Sequence, residues 1–223
     1  MELLKVNNLR KVFPKNKIVA VDRASFTIFK GEVLGLVGES GCGKSTLAKL
    51  ILRLIHADSG SVFYKGKDLF KISHAEMRGI RKFTQIIFQD PYSSLDPGMK
   101  IGSAIEEVYI IHDRLTRNER RRKVIEALEA VGLGESYFNR LPSELSGGER
   151  QRVGIARALA TEPEFIICDE PVSSLDISIQ AQILNLLMEI QKNKNLTYLF
   201  ISHDLGVIDS ICDRVIVMQR GKF

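Results

Sequence analysis

Val33-Leu34-Gly35-Leu36-Val37 runs directly into Gly38-Glu39-Ser40-Gly41-Cys42-Gly43-Lys44-Ser45, and helical periodicity follows at Thr46, Leu47, Leu50, Ile51 and Leu54. The first stretch is continuously apolar or small, as expected of a strand covered on both faces by helices. The stretch after it fits G-x-x-x-x-G-K-[ST] in the setting that template requires, a strand before and a helix after. Its glycines let the backbone wrap closely around phosphate oxygens, so that consecutive N–H groups and the positive end of the next helix point at an anion. Gly38, Glu39, Ser40, Gly41, Cys42, Gly43 and Thr46 therefore form a candidate phosphate cradle. Within it Lys44 is placed to reach β- and γ-phosphates, and the Ser45 hydroxyl to ligand Mg²⁺.

Outward from this loop, Phe165-Ile166-Ile167-Cys168 and Tyr198-Leu199-Phe200-Ile201 have the same buried-strand character. Helical spacing recurs across Val124 to Val131 and from Ile179 to Ile190. Strands and helices thus alternate in the outer thirds of the chain, which predicts an α/β layered fold with a mostly parallel core sheet. Near the N-terminus, Leu3-Leu4-Lys5-Val6, Ile18-Val19-Ala20-Val21 and Ser25-Phe26-Thr27-Ile28 read as antiparallel strands. The stretch from about Pro91 to Glu164 lacks a convincing strand and is punctuated by Pro91, Pro97, Pro142 and Gly147-Gly148, which predicts an inserted helical subdomain. The expected organisation is one domain over 1–223, with an α/β core in 1–90 and 165–223 and a helical insert in 91–164.

Asp169-Glu170 closes the apolar run that ends at Cys168. Open α/β sheets place ligand chemistry at strand ends, so Asp169 is positioned to hold Mg²⁺ through water and Glu170 to orient or deprotonate an attacking water. Adjacent carboxylates are otherwise common in surface turns. The buried strand and the upstream phosphate loop give this pair its functional reading.

Composition sets the class. The chain has 223 residues, 32 Lys+Arg against 27 Asp+Glu for a net charge of +5, and 44% hydrophobic residues. Those values suit a globular domain and exclude a disordered tail, a collagenous repeat or a disulfide mini-protein. No apolar run approaches the about 20 residues of a bilayer span, and Met1 to Asn8 lacks a signal-peptide core, so the chain is expected to be cytoplasmic. Cys42, Cys168 and Cys212 lack metal-ligand spacing and suit reduced thiols. Arg117-Asn118-Glu119-Arg120-Arg121-Arg122-Lys123 concentrates positive charge, but no aromatic residues interleave it to stack bases. It reads as the solvated face of a helix, and no nucleic-acid partner is expected.

Leu145-Ser146-Gly147-Gly148-Glu149-Arg150-Gln151-Arg152 resembles the signature motif of the ATP-binding cassette (ABC) ATPases. Physically, Ser146 and the two glycines open a helix whose free N–H groups can bind an anion. The resemblance implies that Ser146, Gly147, Gly148 and Glu149 face the γ-phosphate held by a second cassette. It further implies that Gln89 is the glutamine that senses Mg²⁺ and couples to a membrane subunit. Asp176, within Ser174-Leu175-Asp176, matches the D-loop, although the residue is equally suited to cap the next helix. His203 matches the histidine that hydrogen-bonds the γ-phosphate, and Phe13 the aromatic that stacks on adenine, with Ile18 adding apolar contact.

The similarity extends from Val6 to Gly221. Phe88-Gln89-Asp90-Pro91-Tyr92-Ser93-Ser94-Leu95-Asp96-Pro97 and Cys168 to Gln182 resemble the oligopeptide, dipeptide and nickel importer branch. That likeness implies an ATP- and Mg²⁺-dependent subunit on the cytoplasmic face of the membrane. Its partners would be a second ATPase subunit (a copy or a paralogue), two transmembrane permeases and, indirectly, an external solute-binding protein. The Pro91 to Pro97 stretch, with Tyr92 and Leu95, is a candidate permease-docking surface; packing within the insert is the alternative. Branch members usually continue into a C-terminal extension containing a cysteine segment, and contacts of that extension are not carried over to a sequence ending at Gly221-Lys222-Phe223. Exporter or lipoprotein-release subunits share every catalytic motif, and ABC ATPases acting on nucleic acid share the cassette. The latter carry long coiled coils or two cassettes, for which this sequence has no counterpart.

Overall fold

A computed structural model of the chain describes residues 1–14, 18–90 and 95–223. In chain order the elements are β1 (Glu2–Phe13), β2 (Ile18–Phe29), β3 (Val33–Val37), α1 (Lys44–Ile51), β4 (Ser59–Tyr64), β5 (Lys67–Asp68), α2 (His74–Phe83) and β6 (Thr84–Ile87). Then come α3 (Ile101–His112), α4 (Arg117–Glu129), two 3₁₀ turns (Glu135–Tyr137 and Pro142–Glu144) and α5 (Gly147–Leu159). The chain finishes with β7 (Phe165–Asp169), α6 (Ile177–Lys194), β8 (Thr197–Ser202), α7 (Leu205–Ile211) and β9 (Arg214–Val217).

Two sheets result. One is parallel, ordered β6-β7-β8-β3-β9, and the other is antiparallel, ordered β2-β1-β4-β5. The continuous apolar strands have the expected cause. On β7, Phe165 and Ile167 enter a core shared with the antiparallel sheet and α1, whereas Ile166 and Cys168 enter a second core shared with α3 to α7. Leu199 and Ile201 on β8 divide from Tyr198 and Phe200 in the same way. A strand covered on both faces has no polar side to alternate with.

Three details depart from the sequence reading. The stretches Ile18 to Val21 and Ser25 to Ile28 belong to a single strand, β2, whose pairing with β1 shifts register between Leu9↔Ala24 and Lys11↔Val21. Arg23 adopts φ +57° at that irregularity, which breaks the alternation into what looks like two strands. The antiparallel sheet also recruits β4, whose partner on β1 is set by the register Leu4↔Tyr64, Lys5↔Phe63, Val6↔Val62. Lastly, α2 escapes a periodicity search because Met77 is its sole buried residue; a reciprocal Ser73–Glu76 capping box nucleates it.

Among the described residues of 95–164 there is no strand. Ile101, Ile105, Val124, Leu128, Val153 and Ile155, from α3, α4 and α5, are fully buried together. The basic run lies on α4 and is largely paired: Arg120 with Glu106 at 2.8 Å, Arg121 with Glu135 at 2.9 Å, Arg122 with Glu126 at 3.5 Å and Lys123 with Glu162 at 3.4 Å. Leu95 is buried in the same core, which removes it as an exposed docking contact. Tyr92 and the rest of 91–94 lie outside the described residues.

Candidate active site

The loop after β3 threads between two backbone segments. A Cβ on Gly38 would lie 2.2 Å from the Met218 carbonyl oxygen, and one on Gly43 2.0 Å from that of Ala20. Gly43 also has φ +115°, a conformation glycine alone adopts without strain. Replacing Gly43 with Ala should therefore cost about 3 kcal/mol, because a carbonyl cannot rotate aside as a side chain can. For a chain of this size we expect a thermal midpoint lower by roughly 6–12 °C in a melting experiment. An unchanged midpoint would show that the loop relaxes freely.

Gly43 is the N-cap of α1, and neither a capping side chain nor a first-turn acid occupies that helix start. By contrast α2, α4 and α5 each begin with a serine or threonine and a glutamate in a reciprocal box. An α1 start left without a cap suits an external anion. Lys44 is only 4% exposed, and its Nζ donates to the Gly38 carbonyl at 2.7 Å and the Glu39 carbonyl at 3.0 Å. The Cys42 N–H donates to the Glu39 carbonyl at 3.2 Å, closing the turn beneath.

Parallel pairing of β7 with β8, and of β8 with β3, brings Asp169 and Glu170 to the same end of the sheet as this loop. Ser45 Oγ donates to Asp169 Oδ1 at 3.1 Å. Burial pushes the Asp169 carboxyl above its ordinary range, with Glu170 adding in the same direction and the Ser45 hydrogen bond opposing. Glu170 leaves the strand with φ +49°, held by its N–H on the Ile201 carbonyl at 3.0 Å. Its carboxylate collects three groups from distant parts of the chain. Gln89 Nε2 donates to Oε2 at 3.0 Å, His203 Nδ1 lies 3.2 Å from the same oxygen, and Lys44 Nζ is 3.6 Å from Oε1.

One cleft is lined by Phe13, Ile18 and Ala20 on one side and by Ser40, Gly41, Gly43 to Thr46, Gln89 and Glu170 on the other. Phe13 and Ile18 face each other in the β1–β2 register and are both exposed. A second hollow, on the far side of Glu170, is lined by Ser202, His203 and Gln180. Ser146 to Glu149 and Asp176 line neither. Asp176 sits at the N-cap of α6 without making a side-chain cap, and the adjacent Ile177 is 86% exposed. Gly147 and Gly148 abut Leu175 and Ile179, so the start of α5 and the start of α6 form one surface.

Motif reading missed Tyr137, whose hydroxyl donates to Glu149 Oε1. Nothing in the sequence marks it, because the contact depends on a 3₁₀ turn folding back toward α5. For Mg²⁺ the donors fit: a buried carboxylate with a raised pKa and a hydroxyl 3.1 Å away is relieved by a cation. Among the described residues no group of three or more His, Cys, Asp and Glu forms a complete metal cage. No helix among them is long and apolar enough to cross a membrane.

The sequence profile of the ABC transporter family matches residues 21–173. The oligopeptide transport ATP-binding protein OppF of Bacillus subtilis (strain 168) is 51% identical over 99% of this chain and 74% of its own length. AppF, an oligopeptide transport ATP-binding protein of the same organism, is 49% identical over 99% of this chain and 70% of its own. Among solved structures, a dimeric post-hydrolysis state of the ATP-binding cassette MJ0796 bound to ADP and Pi superposes with a TM-score of 0.88 at 29% identity, covering 99% of this chain and 96% of that one.

Proposed function

The chain belongs to the ABC transporter family, and from that premise we propose that it is the ATP-hydrolysing subunit of a peptide importer, working on the cytoplasmic face of the membrane. The convergence of Gln89, His203 and Lys44 on Glu170, beside an uncapped phosphate loop, is the observation that carries the catalytic reading. Peptides as cargo rest on the likeness to OppF and AppF. The cassette is one domain, a core of 1–90 and 165–223 with the insert 91–164, and it acts with two permeases and a second cassette.

Lys44 and the first-turn N–H groups of α1 bind the β- and γ-phosphates, Phe13 stacks on adenine, and Ile18 packs beside it. Mg²⁺, when bound, neutralises phosphate charge; Ser45 and Gln89 would hold it directly and Asp169 through water. Glu170 accepts a proton from the attacking water, and His203 donates to a γ-phosphate oxygen. Ser146 to Glu149 of the second cassette complete each site, and Asp176 lies at the seam. The closed pair contacts nucleotide that the open pair does not, and this difference in affinity drives closure and reorients the permeases. The MJ0796 cassette, whose dimer holds ADP and Pi, supports such a pairing.

Light scattering of the Glu170→Gln chain across protein concentrations tests this. With Mg-ATP a dimer is expected, and without it a monomer. A chain that binds ATP yet stays monomeric at every concentration would overturn self-pairing and direct the search to co-purification with a paralogue.

A further inference from the structure

Glu149 is held in a way that an ordinary helix cap does not require. Its Oε2 accepts from the Ser146 N–H and the Ser146 hydroxyl, each at 2.7 Å, while the Glu149 N–H donates to Ser146 Oγ at 3.3 Å. That is the reciprocal box also seen at Ser73–Glu76 and Thr116–Glu119. What differs is Oε1, which accepts from the Tyr137 hydroxyl. Among the described residues, no box acid on α2 or α4 takes such a bond from outside its own box. The ring of Tyr137 is in turn covered by the Arg140 guanidinium, 4.1 Å from its centroid. The Tyr137 hydrogen bond first, and the Ser146 bonds after it, hold the carboxyl down to about 2, so Glu149 is ionised at every working pH.

This carboxylate stands at the α5 start, where the γ-phosphate of a second cassette arrives in the function proposed above. We propose that Glu149 is a positioning residue whose fixed negative charge sets the ATP concentration at which two cassettes close. The inference rests on the composite-site reading. Two effects act together. A carboxylate at N3 already takes up the positive end of the α5 dipole, leaving less for an arriving phosphate. It also engages the Ser146 hydroxyl proton, so that Ser146 can donate to phosphate only by leaving Glu149. Gly148 packs closely against the start of α6, since a Cβ on it would lie 2.6 Å from Ile179 Cγ2. Closure therefore brings phosphate and carboxylate together in a water-poor interface, where like charges repel more strongly than in bulk water.

Glutamine serves as well as glutamate in a capping box, so Glu149→Gln removes the charge and keeps the cap. In the Glu170→Gln chain, dimer formation is followed by light scattering while Mg-ATP is titrated. Adding Glu149→Gln should lower the ATP concentration at half-dimerisation about three- to tenfold. High salt should shrink the difference, because screening weakens the repulsion it removes. Glu149→Asp keeps the charge and should stay near the parent value. An unchanged or raised midpoint for Glu149→Gln, with a normal melting temperature, would overturn the proposal, as would an equal shift for Glu149→Asp, which would make the effect one of shape. If the parent binds ATP and never dimerises, self-pairing fails and takes this role with it.

Discussion

Glu170→Gln should cut steady-state phosphate release by about a hundred- to ten-thousand-fold, the span that loss of a positioned general base produces. Nucleotide binding should survive. Gln is close in size to Glu and can still accept a hydrogen bond from Gln89 through its carbonyl, and Lys44 retains its two loop carbonyls. What disappears is the capacity to take a proton from water. The side chain is poorly exposed, at 12%, and in contact with His203 and Lys44. A titration of ATP binding beside a phosphate-release assay separates the two effects. Turnover retained at the wild-type rate would remove Glu170 from the mechanism, and a parallel loss of binding would mean that its main task is to hold Lys44.

Lys44→Ala should act on affinity instead. The ammonium is buried and supported by the Gly38 and Glu39 carbonyls, with Glu170 near it. It is thus pre-positioned inside the loop it serves and has little conformational freedom left to lose on binding phosphate. Truncating one partner of a desolvated charge pair costs about 2–5 kcal/mol, so ATP should bind roughly thirtyfold to several-thousandfold more weakly in a direct titration. The folded state should be less affected, because Gly38 is half-buried and Glu39 exposed, so that water can replace the ammonium at the carbonyls left behind. Unchanged affinity would place the phosphates elsewhere.

Much of this site could be read without coordinates because its pieces are local. A glycine loop between a strand and a helix is contiguous in the chain, so Gly38 to Ser45 announces its conformation and the phosphate binding proposed for it. The box from Ser146 to Glu149 is similarly a matter of four consecutive residues. Single residues fared differently. Gln89 and His203 carry no intrinsic signal, and family resemblance alone singles them out in the sequence. Their contact with Glu170 arises because β6, β7 and β8 lie side by side and end at the same edge of the sheet. Leu95 shows the converse, since an apolar residue between prolines looks equally ready for a partner or for the core, and packing alone placed it inside.

Sequence by itself determined the layered α/β class, the phosphate loop and the polar character of α4, because each depends on periodicity or spacing over a few neighbouring residues. Tertiary structure decided which carboxylate receives Gln89, Lys44 and His203, where the antiparallel sheet finds its third strand, and that Tyr137 clamps Glu149. Those contacts join residues far apart in the chain, or hang on how a turn folds back onto a helix. Their geometry is set by strand order and by the two cores that flank the parallel sheet, neither of which any short window of sequence contains.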